Sequence, residues 1–261
     1  MTGSKEANLI PPKRGTSDVI HAIIRAGISA VPYVGGSGKE LFALIVGPPL
    51  EKRREKWFDA VAIRLRQLES VVAGFSVEKL RDDPAFITIV LHATTIALKT
   101  HQEDILTALR NAVLNSALKI DIEEDLQLMF LSLIESLTTS HLKILAFLNE
   151  PYRYQFNVIK KSLPSVFDTY LELWEILELV IPELSMQRDL YGEILSDLYR
   201  HGLTRIDKTK MRGRGQVMKL GNADNLTSHV SMASYTTDLG KAFVNYITET
   251  HKQAEPNSEN L

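Results

Sequence analysis

The feature that most constrains the fold is the spacing of apolar residues, which recur at steps of three and four along much of the chain. Between 51 and 72, one helical face would collect Trp57, Val61, Leu65, Leu68 and Val72. The same spacing returns in the segments 83 to 98, 103 to 118, 126 to 137 and 140 to 149. Short links between such segments favour antiparallel helical neighbours. The sequence therefore predicts a mainly α protein built on a helical bundle.

Residues at two segment starts are typical of helix N-termini. Asp83 followed by Pro84 supplies an N-cap carboxylate and a proline in the first turn, where its missing N–H costs nothing. Asp121 and Glu124 resemble a D-x-x-E variant of the capping box before an apolar run. Both patterns predict a helix start, and both explain clustered carboxylates without catalysis.

Composition and histidine spacing argue against several kinds of catalytic site. The 261-residue chain has no cysteine, which excludes thiolate zinc sites, iron–sulfur clusters and cysteine nucleophiles. None of its seven histidines stands in an H-E-x-x-H motif or four residues from another histidine. We therefore expect a non-enzymatic protein with no catalytic, metal-binding or cofactor-binding residues. A hydrolase made from scattered Asp, His and Ser residues is the alternative, and no spacing supports it.

The glycine-rich stretch VPYVGGSGKE (31–40) invites comparison with a phosphate-binding loop. A P-loop needs a hydroxyl residue after its lysine to hold magnesium, whereas Glu40 follows Lys39, and Tyr33 occupies the position of the first glycine. The residues before it repeat at helical rather than strand spacing. We interpret the stretch as a turn between two apolar helices.

These helices would form a glycine-rich hairpin at 18–50, followed by a new helix that starts after Pro48-Pro49 because proline is unfavourable inside a helix. Neither uncharged run in it reaches the roughly 20 residues that a spanning helix needs. A soluble core, an oligomer interface, or peripheral contact with anionic lipid beside the basic EKRREK segment each explains the apolarity. The candidate interaction residues are Ile24, Ile28, Val31, Leu41, Phe42, Leu44 and Ile45.

The C-terminal part has the element order of a winged helix. Its segments are HLKILAFLNEP, then LYGEILSDLYRHGLTRI, where a helix runs through Gly202 into a strand at 203–206, then a strand at 229–235, and SYTTDLGKAFVNYI, a helix capped by Thr237. This order resembles many bacterial winged-helix proteins and implies a small two-stranded β-hairpin with a wing-like loop. An insertion at 151–184, expected to be helical and to include a helix over 166–181, departs from the compact pattern.

The loop between these predicted strands is strongly basic. From Arg205 to Lys219 there are six basic residues against one acid, a local charge of +5 in a chain whose net charge is −2. Nucleic-acid phosphates would be contacted by Arg205, Lys208, Lys210, Arg212, Arg214 and Lys219. A solvated loop whose charge protects a sheet edge is the alternative. No aromatic residue interleaves these charges, so base stacking on single strands gains no support.

The segment LMFLSLIESLTTSHLKILAFL resembles a loosely defined group of uncharacterised bacterial helical proteins, some labelled abortive-infection alpha-like. That resemblance implies a bacterial intracellular protein with a link to phage defence. It carries over no catalytic residue.

The predicted organisation is a flexible leader at 1–17, the hairpin at 18–50, a helical bundle at 51–138, a winged-helix-like module at 139–250 and a disordered tail at 251–261. The predicted function is that of a cytoplasmic bacterial binding or regulatory protein that contacts nucleic acid through 205–219. The alternative is a phage-defence effector that associates with a membrane or forms homo-oligomers through the hairpin. A protein partner fits either function, and no cofactor is expected.

Overall fold

The computed structural model describes residues 38–119, 122–151, 170–182, 188–206, 217–219 and 235–249. Within these residues the protein is mainly α-helical and forms a helical bundle, as the sequence predicted. The helices are α1 (Gly38–Val71), α2 (Val77–Leu80), α3 (Pro84–Lys99), α4 (Glu103–Ala117), α5 (Glu124–Ser136), α6 (Thr139–Asn149), α7 (Leu173–Val180), α8 (Arg188–Arg200) and α9 (Asp238–Ile247). Two short strands, β1 (Tyr170–Glu172) and β2 (Val217–Lys219), pair antiparallel with Tyr170 opposite Lys219.

Helix α4 lies at the centre of the bundle. It contacts α1, α3, α5 and α9, and every residue from Asn111 to Ala117 is buried. Next to it, the Phe130 ring of α5 packs against Phe243 and Tyr246 of α9, with ring centroids 5.3 and 5.5 Å apart. Aromatic rings at such distances add directional attraction to the burial of apolar area. Helix α9 is therefore part of the same core as the middle helices.

The predicted N-terminus of α3 is confirmed. Pro84 is the first helical residue, and the Asp83 carboxylate accepts a hydrogen bond from the Phe86 N–H at 3.1 Å. That hydrogen bond, together with Lys119 at 3.0 Å, holds the pKa of the Asp83 carboxyl below its usual value. The charged form of Asp83 is thus stabilised by the helix that it caps.

The predicted capping box before α5 is wrong. The helix begins at Glu124, and its N-cap is Glu123, whose side chain makes no capping hydrogen bond. Glu124 is thus the first helical residue, two positions before the third helical residue that would act as the reciprocal partner, and Asp121 lies outside the described residues. The acidic residues of this first turn, Glu124 and Asp125, still complement the helix dipole.

The predicted helix start after Pro48-Pro49 is also wrong, because α1 runs without interruption from Gly38 to Val71. Proline fixes φ near the helical value, and its costs inside a helix are the lost N–H and the crowding of its ring against the carbonyl four residues earlier. The helix continues through both prolines at a place where Gly47, Pro48 and Pro49 are all exposed. The start of a helix at Gly38 agrees with the prediction, and the residues before it, 31–37, lie outside the described part.

The region after α6 differs from the predicted helix over 166–181. Residues 170–172 are extended and pair with 217–219, and α7 begins only at Leu173. A short apolar run such as TYLELW fits either a buried strand or a helix, so its spacing does not decide between them. Of the two strands predicted at 203–206 and 229–235, the described residues show one isolated bridge, between Thr204 and Thr236. Residues 229–234 lie outside the described part.

No helix in the described ranges is both long enough and apolar enough to cross a membrane.

Candidate nucleic-acid interface

The end of α8 sets the direction in which the chain enters the basic segment. Gly202 has φ of 70°, which favours glycine because a Cβ is strained there. The Leu203 N–H donates to the Leu198 carbonyl at 2.9 Å, and the Gly202 N–H donates to the Tyr199 carbonyl at 2.9 Å. This pair of hydrogen bonds is a Schellman motif, and it confirms the prediction that Gly202 lies just past the helix end.

Residues 202–206 and 235–237 then meet in a buried junction, which we call the loop anchor. The Thr204 hydroxyl and the Arg205 N–H both donate to the Tyr235 carbonyl at 2.9 Å. The Tyr235 N–H in turn donates to the Leu148 carbonyl at the end of α6, also at 2.9 Å. Thr204 and Thr236 are 2 % and 0 % exposed, so these polar groups are fully satisfied inside the protein. The loop anchor therefore fixes both ends of the intervening segment 207–234.

The first turn of α9 also contacts the loop anchor. The Thr237 hydroxyl accepts from the Gly240 N–H at 2.9 Å, so the predicted Thr237 cap is confirmed. The Thr237 N–H donates to the Leu203 carbonyl at 3.1 Å. A Cβ on Gly240 would lie 2.0 Å from that carbonyl oxygen, so only glycine admits this approach. The T-x-x-G spacing is thus explained by a cap and a close contact one turn apart.

Helix α9 is joined to the central helix α4 by two buried amides. The Asn115 side-chain amide donates toward the carbonyls of Tyr246 at 2.8 Å and Thr248 at 3.0 Å, and the Asn111 amide donates to Ile247 at 2.9 Å. These carbonyls belong to the last turn of α9 and to its C-cap Thr248, where no helical N–H is left to pair with them. Asn115 therefore caps the C-terminus of α9 from within the bundle.

A histidine connects the helices α6 and α8. His141 Nδ1 accepts from the Thr138 N–H at 3.2 Å, which requires the neutral ring to carry its proton on Nε2. Nε2 faces Asp197 of α8 at 3.4 Å, and Asp197 also pairs with the exposed Arg200. Desolvation lowers the pKa of His141, with opposition from Asp197 and a smaller lowering by His201.

The sequence-predicted phosphate contacts are only partly within the described residues. Arg205 is exposed, and its backbone is fixed in the loop anchor. Lys219 lies in β2, opposite Tyr170 of β1. Four more of these cations lie outside the described residues, namely Lys208, Lys210, Arg212 and Arg214. The part of the basic segment between Ile206 and Val217 is thus attached at both ends by main-chain pairing.

The candidate hairpin residues divide in the same way. Four of them are in α1, and the structure describes only their backbone: Leu41, Phe42, Leu44 and Ile45. Three lie outside the described residues altogether: Ile24, Ile28 and Val31. Among the residues that the structure does describe, no group of three or more His, Asp or Glu side chains is arranged to hold a metal ion.

Sequence reasoning missed the buried polar residues that build this region. Asn111 and Asn115 are four residues apart, so they share the face of α4 that carries buried apolar residues, and that spacing was a usable signal of a shared buried partner. No sequence spacing indicated that Thr204 and Thr236 are buried and hydrogen-bonded, because their partners are distant in the chain. The basic residues were visible from the sequence, whereas the groups that fix the chain around them were not.

Comparison with protein-family models, curated protein sequences and solved structures gave no match for this chain. That result tests neither the resemblance to winged-helix proteins nor that to abortive-infection alpha-like proteins. Both resemblances stay predictions.

Proposed function

We propose that this is a non-enzymatic binding or regulatory protein that contacts the phosphate backbone of a nucleic-acid duplex through the basic segment 205–219. The observation that carries the proposal is the attachment of this segment at both ends. Arg205 pairs with Tyr235 in the loop anchor, and Val217–Lys219 pairs with β1. A cationic segment whose ends are fixed loses less conformational entropy on binding than a free tail of the same charge.

The surrounding helices support a winged-helix-like module. Helices α6 and α8 pack together, the chain leaves α8 through the Gly202 turn, and α9 packs on α6 after the loop anchor. In this proposal the segment 207–234 takes the place of the wing. Arg200 is exposed at the end of α8, next in sequence to the anchor, where it forms an ion pair with Asp197.

Charge gives the chemical basis of the contact. The whole chain carries −2, so attraction for a polyanion depends on the local +5 between Arg205 and Lys219. Each arginine or lysine placed at a phosphate releases counterions, which makes the affinity depend on salt. Backbone contacts of this type position a protein on a duplex without reading its sequence. The bacterial origin and the link to phage defence stay predictions.

The test compares R212E/R214E with a matched control, K79E/R81E, which makes the same change of charge at two exposed residues of the bundle. Binding to duplex DNA, duplex RNA and single-stranded DNA is measured by fluorescence anisotropy with the full chain. We expect R212E/R214E to lose at least about tenfold in affinity for a duplex, and K79E/R81E to bind nearly as the wild type does. Equal losses in both variants, or no duplex binding by the wild type, would contradict the proposal.

A further inference from the structure

Helix α8 runs directly into the loop anchor, so in the proposed module it has the place of the helix that precedes the wing. In helix-turn-helix proteins the second helix lies in the major groove, where its side chains contact base edges. The side of α8 toward the bundle is buried and carries Tyr191, Ile194, Leu195 and Leu198. A duplex that approached α8 would therefore meet the residues on its opposite side.

The outward side of α8 is acidic. Asp189 and Glu193 are exposed, and the Asp197 side chain is 35 % exposed. These three residues are four apart, so their carboxylates lie on successive turns, about 6 Å apart along the helix axis. From Asp189 to Arg200 the sequence has three acidic residues and one basic residue, Arg200 itself, which gives this stretch a net charge of −2.

The side chains that usually recognise bases are almost absent from this stretch. Bases are read mainly by arginine, lysine, asparagine and glutamine, which form paired hydrogen bonds with guanine or adenine. From Asp189 to Arg200 there is no lysine, asparagine or glutamine. The Arg200 guanidinium pairs with one oxygen of Asp197, and the other oxygen faces His141 Nε2 at 3.4 Å. A base contact by Arg200 would therefore have to replace an existing ion pair.

Carboxylates are unfavourable in the major groove because phosphates line both of its walls. Among the base edges there, the cytosine amino group is the usual donor to a carboxylate. Repulsion between like charges acts over about 10 Å at 0.1 M salt and further at lower salt. The carboxylates of Asp189 and Glu193 therefore oppose the entry of α8 into the groove.

Given the proposed function, on which this step rests, we infer that α8 stays outside the grooves of the duplex. The chain then binds duplexes of any sequence, through the basic segment 205–219 alone. Asp189 and Glu193 determine this mode of binding, because they keep the helix before the segment away from the bases.

Chemical probing of a bound duplex tests the position of α8. Dimethyl sulfate methylates guanine N7, which lies in the major groove, and ethylation of phosphates reports contacts to the backbone. With the full chain on a mixed-sequence duplex, we expect ethylated phosphates to weaken binding, while guanine N7 reacts as it does in free DNA. Protection of N7 in neighbouring base pairs, or one enriched motif after selection from random duplexes, would overturn the inference and leave the proposed function standing.

A pair of charge variants tests the two carboxylates. D189N/E193Q removes two exposed negative charges from α8, and the matched control E78Q/D82N removes two from exposed positions of the bundle. In fluorescence anisotropy at about 0.05 M salt, we expect the duplex affinity of D189N/E193Q to rise about threefold above that of the control. Circular dichroism checks that both variants are folded.

Two further results would count against this role of α8. Equal duplex affinities of D189N/E193Q and E78Q/D82N would show that the carboxylates of α8 do not act on the duplex. A wild-type chain that binds no duplex would contradict the proposed function and the inference together.

Discussion

His141 shows how one side chain couples the start of α6 to α8. Its Nδ1 accepts from the Thr138 N–H, and its Nε2 faces Asp197. A proton added at Nδ1 would face the Thr138 N–H, so that two donors oppose each other, and it would place a positive charge at a helix N-terminus. Asp197 favours the charged ring, yet desolvation is the larger effect and lowers the pKa of His141. The neutral ring is therefore the form that the fold requires.

Mild acid should destabilise the protein through this residue. The ordinary pKa of histidine, 6.5, applies to the unfolded chain, and the folded value is lower. Between the two values the unfolded chain binds more protons, so stability is complete above the unfolded value and decreases as the pH falls toward the folded one. Urea denaturation from pH 7.5 to 5 measures the effect. H141Q keeps an acceptor for the Thr138 N–H without titrating, so its stability should change less over this range.

Tyr191 gives a second prediction at the residue scale. Its hydroxyl is buried and has no hydrogen-bond partner among the residues that the structure describes, and burial with a contribution from Glu178 raises its pKa to about 12. An unpaired buried hydroxyl costs about 1 kcal/mol or more. Y191F should therefore raise the free energy of unfolding by about 1 kcal/mol, measured by chemical denaturation. A loss of stability in Y191F would show that the hydroxyl has a partner.

Among the helices, the first turn of α9 makes the tightest demand on residue type. A Cβ at Gly240 would lie 2.0 Å from the Leu203 carbonyl oxygen, and Thr237 would have to move with it. We expect G240A to lose at least about 2 kcal/mol of stability, because overpacking against backbone has no easy relief. G47A is the matched control, since Gly47 is exposed in α1 and no atom of the described part of the chain lies within 4 Å of an added Cβ. That control should be neutral or slightly stabilising.

The helices could be predicted from the sequence because their signals are local. Apolar spacing located the helices of the bundle, and Asp83, Gly202 and Thr237 marked their ends correctly. The errors at Pro48-Pro49 and at 170–172 have one cause. Solvent can replace a hydrogen bond that a proline removes from a helix, and a distant strand can pair with a short apolar run. Neither effect can be predicted from the local sequence.

At the scale of the whole molecule, the loss of Asn115 should destabilise the fold strongly, because this residue joins two distant parts of the chain. It is 1 % exposed and donates to carbonyls at the end of α9, about 130 positions away in the chain. N115D keeps the shape but replaces donors with a carboxylate facing carbonyl oxygens. We expect a loss of at least about 3 kcal/mol in denaturant unfolding. N111D, at a site with a single such bond, should lose less. Equal stability of wild type and N115D would show that the amide is not a cap.

Only part of the candidate nucleic-acid interface could be predicted from the sequence. The +5 charge and the Thr237–Gly240 spacing were visible, because charge and caps depend on residues near each other. The loop anchor was not, since Thr204 and Thr236 meet only when the bundle places α6, α8 and α9 together. The domain boundary predicted at 139 stays a prediction.

The salt dependence of duplex binding tests the central proposal most directly. Each phosphate contact contributes a slope of about −0.9 to the logarithm of the binding constant against the logarithm of salt concentration. If Arg212 and Arg214 each neutralise one phosphate, R212Q/R214Q should have a slope shallower than that of the wild type by about 2. K79Q/R81Q should keep the wild-type slope. Identical slopes for wild type and R212Q/R214Q would contradict phosphate contact by the basic segment.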